Sequence, residues 1–295
     1  MNISRTWALT KIVVQSHILN WVWRPRARRS AVRCDVLSRV APQYFKRYLP
    51  AAARVKEMPV VRDDENEKIY TMWQQGEDKA PPLVQACFRS IRRHCKQELV
   101  ILDDNNFEQY VNLPPEIVAK YRAGKIRRAH FADIVRVELL YEHGGYWLDS
   151  TAFVTAPIPQ WITDQDFFVF MVGNVGQKYS YMQNCFIRAR RGAYLLAAWR
   201  AMILEYWINE NSCFDYFMHQ LLFKTLVEGD PRAIDAFAKM PHVDQDPTHA
   251  LWHHYKFQPF DAKLFEKLTR DAFFQKCAYS DEIRPGTFAE HITKS

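Results

Sequence analysis

The chain has 295 residues, 48% of them hydrophobic and 14% aromatic, enough to bury the core of one large α/β domain with appendages, while only 9 glycines argue against a repeat or low-complexity protein. Its net charge of +7 is uneven: residues 1–62 hold 13 Lys and Arg against 2 Asp and Glu, and residues 63–295 hold 27 against 31. Nucleic-acid enzymes place positive charge around the working cleft, so a mildly acidic body argues against nucleic acid as a partner.

Residues 1–62 read as a basic N-terminal arm and helix. The stretch from Trp7 to Trp23 is interrupted by Lys11, Gln15, Ser16, His17 and Asn20, too polar for a spanning helix of about 20 apolar residues. It also lacks the small-residue cleavage site of a signal peptide. Trp7, Trp21 and Trp23 with Arg24, Arg26, Arg28, Arg29 and Arg33 form a pattern expected at an anionic membrane surface; the other reading is a solvated tail. Six cysteines without a C-x-x-C pair fit a reducing compartment. The expected location is therefore cytoplasmic, peripheral on the inner face of the membrane. Residues 41–57 read as an amphipathic helix, and the charged run 62–68 marks the boundary with a domain at 63–295.

Ile69 to Trp73 reads as a buried strand, Pro81-Pro82 opens a helix to Arg93, and Glu98 to Leu102 is a second strand. A short helix spans Phe107 to Val111, and Pro114-Pro115 starts another. The helix from Ala129 to His143 is apolar on almost every side except for the row His130, Asp133 and Arg136. Strands at Tyr146 to Leu148, Phe153 to Thr155 and Phe167 to Val172 are expected to complete one sheet. Helices follow at Tyr194 to Asn209, Phe214 to Glu228 and Pro231 to Lys239. This alternation predicts an α/β fold, an open sheet with helices on both faces.

The chain carries Trp73-Gln74-Gln75-Gly76, then Ala132-Asp133-Ile134-Val135-Arg136, then Gly144-Gly145-Tyr146-Trp147-Leu148-Asp149-Ser150-Thr151. These runs resemble the capsular polysaccharide synthesis proteins, nucleotide-sugar glycosyltransferases close to glycosyltransferase family 32, whose wording is near S-D-x-x-R, L-L and G-G-x-W-x-D-x-T. The resemblance covers roughly Ile69 to Tyr279 and leaves out the arm. It implies a GT-A (Rossmann-like) nucleotide-sugar glycosyltransferase fold with an open mixed sheet and helical additions. The implied reaction moves a sugar from a nucleotide-sugar donor to a hydroxyl of a surface or capsular glycan, free or lipid-linked. A catalytically degenerate GT-A scaffold in glycan assembly is the alternative.

Within that resemblance, Asp149 at a strand end is the expected holder of a divalent cation, Mn²⁺ or Mg²⁺, at the diphosphate. Related transferases write D-x-D, whereas the third position here is Thr151, so the metal is expected to be held weakly, through water or by the Thr151 hydroxyl, or to be dispensable. Asp133 and Arg136, three apart on one helix face, are expected at the donor sugar and its phosphate; an internal ion pair is the structural alternative. Trp73 is expected beside the nucleotide base or in the core. Gly144 and Gly145 are expected to cap the helix and to let substrate approach. Asp215 is read either as facing the acceptor or as a helix N-cap, and Asn184 either as a sugar ligand or as an edge asparagine. Lys276, in Gln275-Lys276-Cys277-Ala278-Tyr279-Ser280, matches the family's H-K-L-x-Y-K as a phosphate contact, with Gln275 in place of the histidine. No G-x-x-x-x-G-K-[ST], G-x-G-x-x-G or G-x-S-x-G run and no fourfold Cys/His spacing occurs, so kinase, dehydrogenase, serine-hydrolase and zinc readings lack their first requirement.

Overall fold

In β2 (Leu99–Leu102), Val100 and Leu102 join the main core, while Ile101 packs against Ala80, Val84 and Phe88, two of which belong to α3 (Pro82–His94). This alternation is the period of a strand with helices on both faces. A computed structural model describes residues 37–62, 67–173 and 180–295. Trp7, Trp21, Trp23, the arginines from Arg24 to Arg33 and Cys34 lie outside the described residues.

The central sheet has five strands in the order β2, β1 (Ile69–Met72), β3 (Gly145–Leu148), β6 (Met182–Ala189), β5 (Phe167–Met171). β1 runs parallel to β2 and β3, and β6 is antiparallel to both β3 and β5. The sheet is open and mixed and the class is α/β, as the sequence implies. Between β2 and β3 the chain forms α4 (Pro115–Arg122) and α5 (Arg128–His143), the latter buried from His130 to Leu140. Right-handed crossovers place α3 and α5 on opposite faces, because β1 to β2 and β2 to β3 step across the sheet in opposite directions.

β4 (Ala152–Val154) does not enter this sheet as expected. It pairs antiparallel with β7 (Phe274–Lys276) in a separate two-stranded ribbon. The departure begins at Asp149, whose N–H donates to Cys185 O at 2.8 Å, and a turn closed by Ala152 N–H to Asp149 O then lifts the chain away.

Gln160–Thr163 forms a short α6. α7 (Tyr194–Asn209) and α9 (Pro231–Lys239) have the expected bounds, but α8 starts at Met218 and runs to Gly229. Residues 214–217 form a turn instead, in which the Phe217 N–H donates to the Asp215 carboxylate at 3.0 Å. The C-terminal part adds α10 (Asp246–Ala250), a π-helical turn (Leu251–Tyr255), α11 (Ala262–Arg270) and α12 (Phe288–Lys294).

Helical residues 37–45 (α1) and Leu49–Ala53 (α2) share the main core with the body. Tyr44 and Phe45 pack on Phe214, and Tyr48 packs on Tyr206. Trp147, Trp199 and Trp207 are among the largest fully buried side chains; each fully buried large apolar side chain contributes about 1.5–3 kcal/mol. No helix among the described residues is long and apolar enough to cross a membrane.

Candidate active site

The carboxyl ends of β1 and β3 open into a cleft of about 390 Å³, within the size range of small-molecule sites and at the strand-end position where open α/β sheets bind ligands. Each wall has a sequence cause. On α5, residues 128, 132, 133 and 136 recur at helical spacing, so Arg128, Ala132, Asp133 and Arg136 share the face that lines the cleft. β3 delivers Asp149 just beyond its last residue. The β4–β7 ribbon sets Lys276 opposite Ala152 and so brings it back to Asp149.

These groups form one charge network. The Arg136 Nη2 lies 3.0 Å from Asp133 Oδ1 and 3.2 Å from Asp149 Oδ1, and Nη1 donates to Asn184 O at 2.5 Å. Asn184 Nδ2 donates to Asp133 Oδ1 at 2.9 Å, and Gln220 Nε2 donates to Asn184 Oδ1 at 3.2 Å. Trp147 Nε1 donates to Asp149 Oδ1 at 2.9 Å while its ring lies under the Arg136 guanidinium at 4.9 Å. Lys276 Nζ is 3.2 Å from Asp149 Oδ2 and donates to the Thr151 hydroxyl.

Burial would raise the Asp149 pKa, but Lys276 and then Arg136 hold it below the ordinary carboxylate value. Asp133 is likewise held well below its ordinary value, chiefly by Arg136 acting against burial. Lys276 is raised because Asp149 outweighs its burial. Both acids are therefore ionised and Lys276 is charged at neutral pH.

Two histidines flank Asp133. His130 Nδ1 is 3.6 Å from Asp133 Oδ2; burial opposes its charge, yet Asp133 and Cys213 raise it to about 9. His219 accepts from Trp207 Nε1 at 3.1 Å through Nε2, which leaves the proton of the neutral ring on Nδ1, 3.7 Å from Asp133 Oδ2. Burial pushes His219 down to about 3, so it stays neutral.

The cleft thus gathers Trp73, Asp133, Arg136, Asp149, Thr151, Asn184 and Lys276. Trp73 packs edge-on against Tyr279 with ring centroids 5.0 Å apart, and its buried Nε1 has no hydrogen-bond partner. Gly144 and Gly145 do not line the cleft. They sit at the opposite end of β3, where Gly144 ends α5 with φ of 70° and a Cβ on Gly145 would collide with Lys68 O. Their need for glycine is a chain crossing and not room for substrate. Asp215 lines a neighbouring depression with Lys125, Arg127 and His130 rather than the cleft itself. Gln275 is fully buried and ties Pro247 O and Leu251 N–H, so it serves the C-terminal helices.

Arg128, Tyr216, Gln220 and Tyr279 also line the cleft; of these, Tyr279 is the tyrosine of the run that matches H-K-L-x-Y-K, and the sequence assigns none of them a role. Gln220 with His219 on α8, following Asp215-Tyr216-Phe217, is the available signal: two polar residues side by side between Phe217-Met218 and Leu221-Leu222-Phe223.

A divalent cation takes about six oxygen ligands, carboxylates foremost. Asp133 and Asp149 are the carboxylates lining the cleft among the described residues, and both are engaged by Arg136; the Thr151 hydroxyl is engaged by Lys276. Among the described residues no group of three His, Cys, Asp or Glu is arranged to hold a metal. A cation about 4 Å from Lys276 Nζ would meet repulsion of roughly 4 kcal/mol per unit of its charge at an effective dielectric of about 20. The donor set does not fit a divalent ion.

The O-glycosyltransferase PaGT of Phomopsis amygdali is 25% identical over 178 residues, 54% of this chain and 43% of that protein. Glycosyltransferase afumC of Aspergillus fumigatus is 26% identical over 184 residues, 55% of this chain and 46% of that protein. The matched region spans less than half the length of either curated relative. A solved PaToxG glycosyltransferase superposes with a TM-score of 0.38 at 11% identity, covering 70% of this chain and 84% of that one. The sequence profile described as capsular polysaccharide synthesis protein matches residues 28–292, which takes in both the α1–α2 segment and the ribbon that carries Lys276. The chain belongs to the capsular polysaccharide synthesis protein family.

Proposed function

We propose that this protein is a GT-A glycosyltransferase that transfers a sugar from a nucleoside-diphosphate donor to a hydroxyl of a glycan acceptor. The observation that carries this reading is the convergence of Arg136 and Lys276 on Asp149 at the strand ends, beside the unpartnered Trp73 Nε1. A buried charge network is costly unless polar partners complete it, and a sugar diphosphate offers both hydroxyls and phosphate oxygens. The named transferases among its relatives support the same class.

In this reading the base lies by Trp73 and Tyr279, and the diphosphate faces Arg136 and Lys276. Asp133 is held ionised at a depressed pKa and is a weak base, so its role is to accept hydrogen bonds from the donor sugar, with Asn184 and Gln220 fixing its position. In the reaction the bond from sugar C1 to the β-phosphate oxygen breaks and its electron pair stays on that oxygen. The acceptor hydroxyl oxygen bonds to C1, and its proton passes to the departing phosphate or to water. The acceptor enters past Tyr216, which is 62% exposed at the rim.

The test is a hydrolysis and transfer screen of UDP- and GDP-sugars with wild type and Asp149→Asn. One donor is expected to release sugar, with a loss of about 100-fold in the variant and a thermal midpoint close to wild type. Turnover of no donor by wild type, or an unaffected folded variant, rejects the reading. The basic arm adds an anionic membrane surface to the same proposal; sedimentation of the full chain with neutral vesicles as readily as with anionic ones would reject that part.

A further inference from the structure

We infer that the Lys276 ammonium does the work of a divalent cation at the donor diphosphate, so that this site binds and activates a nucleotide sugar without a metal. The inference rests on the glycosyltransferase reading and specifies its electrostatics. An ammonium has three donor hydrogens. Asp149 Oδ2 and the Thr151 hydroxyl take two of them, which fixes Nζ at the cleft wall with one hydrogen left for a phosphate oxygen. The lysine cannot wander: its strand is registered against β4, with the Cys277 N–H donating to Thr151 O at 2.8 Å.

Charge matching points the same way. Arg128, Arg136 and Lys276 line the cleft against Asp133 and Asp149, so its lining carries a cationic surplus that suits a phosphate anion. A second carboxylate at position 151 would create a doubly negative corner calling for a dication. Threonine leaves one carboxylate there, matched by one ammonium, and its hydroxyl orients that ammonium. Asp149 and Thr151 are thus positioning residues for Lys276. As the C1–O bond to the β-phosphate breaks and the electron pair moves onto the phosphate oxygen, the charge it meets is Lys276 Nζ, together with Arg136.

Calorimetric titration of the full chain with UDP and with GDP, in excess EDTA and then in Mn²⁺ or Mg²⁺, tests this. One nucleotide is expected to bind with Kd values that agree within about threefold in the two conditions. Lys276→Ala is expected to weaken that binding by about tenfold or more in EDTA, with Lys276→Arg retaining more of it and added Mn²⁺ partly restoring the alanine variant. Binding that requires the metal in wild type overturns the inference and leaves the glycosyltransferase reading standing. Binding in neither condition overturns both. The wild-type comparison decides the matter even if Lys276→Ala does not fold.

Discussion

At the amino end of β3, Arg188 lies over the Tyr146 ring at 4.8 Å and donates to Glu67 Oε1 at 2.7 Å and to the main-chain carbonyls of Gly145, Ala189 and Thr163. At the carboxyl end, Arg136 lies over the Trp147 ring at a similar distance, yet its main partners are two carboxylates that line a cleft. Both guanidiniums are almost completely buried. The difference lies in what closes them. Carbonyls fixed in loops and ladder make Arg188 a clamp holding the chain ahead of β1 and the α6 turn to the sheet. Side-chain carboxylates at a solvent opening leave Arg136 partners that a ligand can share.

The sharpest way to break this contrast is to delete the cleft arginine. Arg136→Ala is expected to abolish donor turnover by about 100-fold or more and, by leaving Asp133 and Asp149 facing each other, to destabilise the fold by about 3–5 kcal/mol. A variant with wild-type kcat/KM would make Arg136 a second clamp. Next comes Glu67→Gln, which strands the Arg188 charge. Urea unfolding should show a loss of about 3 kcal/mol or more, while turnover per folded molecule stays at the wild-type value; a selective loss of turnover would erase the distinction between the two ends.

A smaller effect is expected from Trp73→Phe. A buried donor without a partner costs about 1–3 kcal/mol in the free protein, so the midpoint should hold or rise, while KM for the donor rises by about threefold to tenfold as the base loses that contact. A lower midpoint with unchanged KM would return Trp73 to the core.

The smallest is a pH effect. His130 is raised in the folded state from 6.5 to about 9, so its contribution to stability is fully present below pH 6.5 and is lost as pH rises toward 9. Urea midpoints of wild type should fall across that window more than those of His130→Gln. Parallel curves would show that Asp133 does not couple to this histidine.

How far the sequence discloses this arrangement depends on distance along the chain. Asp133, Arg136 and Asp149 lie in one helix–turn–strand segment, and the periodicity of that segment is enough to place them together. β6 carries no such signal: almost every residue from Met182 to Ala189 is buried, so the alternation that marks a half-buried strand is missing. β7 is three residues long, below what a pattern can register, and nothing local says that β4 prefers it to the central sheet. Lys276 was therefore reached only through the resemblance. Gly144 and Gly145 were misplaced for the converse reason. They lie four and five residues before Asp149, but those residues are the extended strand β3, and at about 3.3 Å per residue that is more than 10 Å.

The ribbon joining residues 125 positions apart also sets an order of assembly. During synthesis the five strands of the sheet and both acids emerge well before the lysine does. Without β7, Asp149 would keep Arg136 at Oδ1 but lack the ammonium that faces Oδ2. Closing so long a loop adds only about 0.6 kcal/mol for each doubling of its length, so the docking of Phe273 and Phe274 against Phe186 can bring the ammonium to Asp149 at small entropic cost. The site would then be completed in one event, the docking of β7 on β4, and until it occurs Asp149 lacks its ammonium partner.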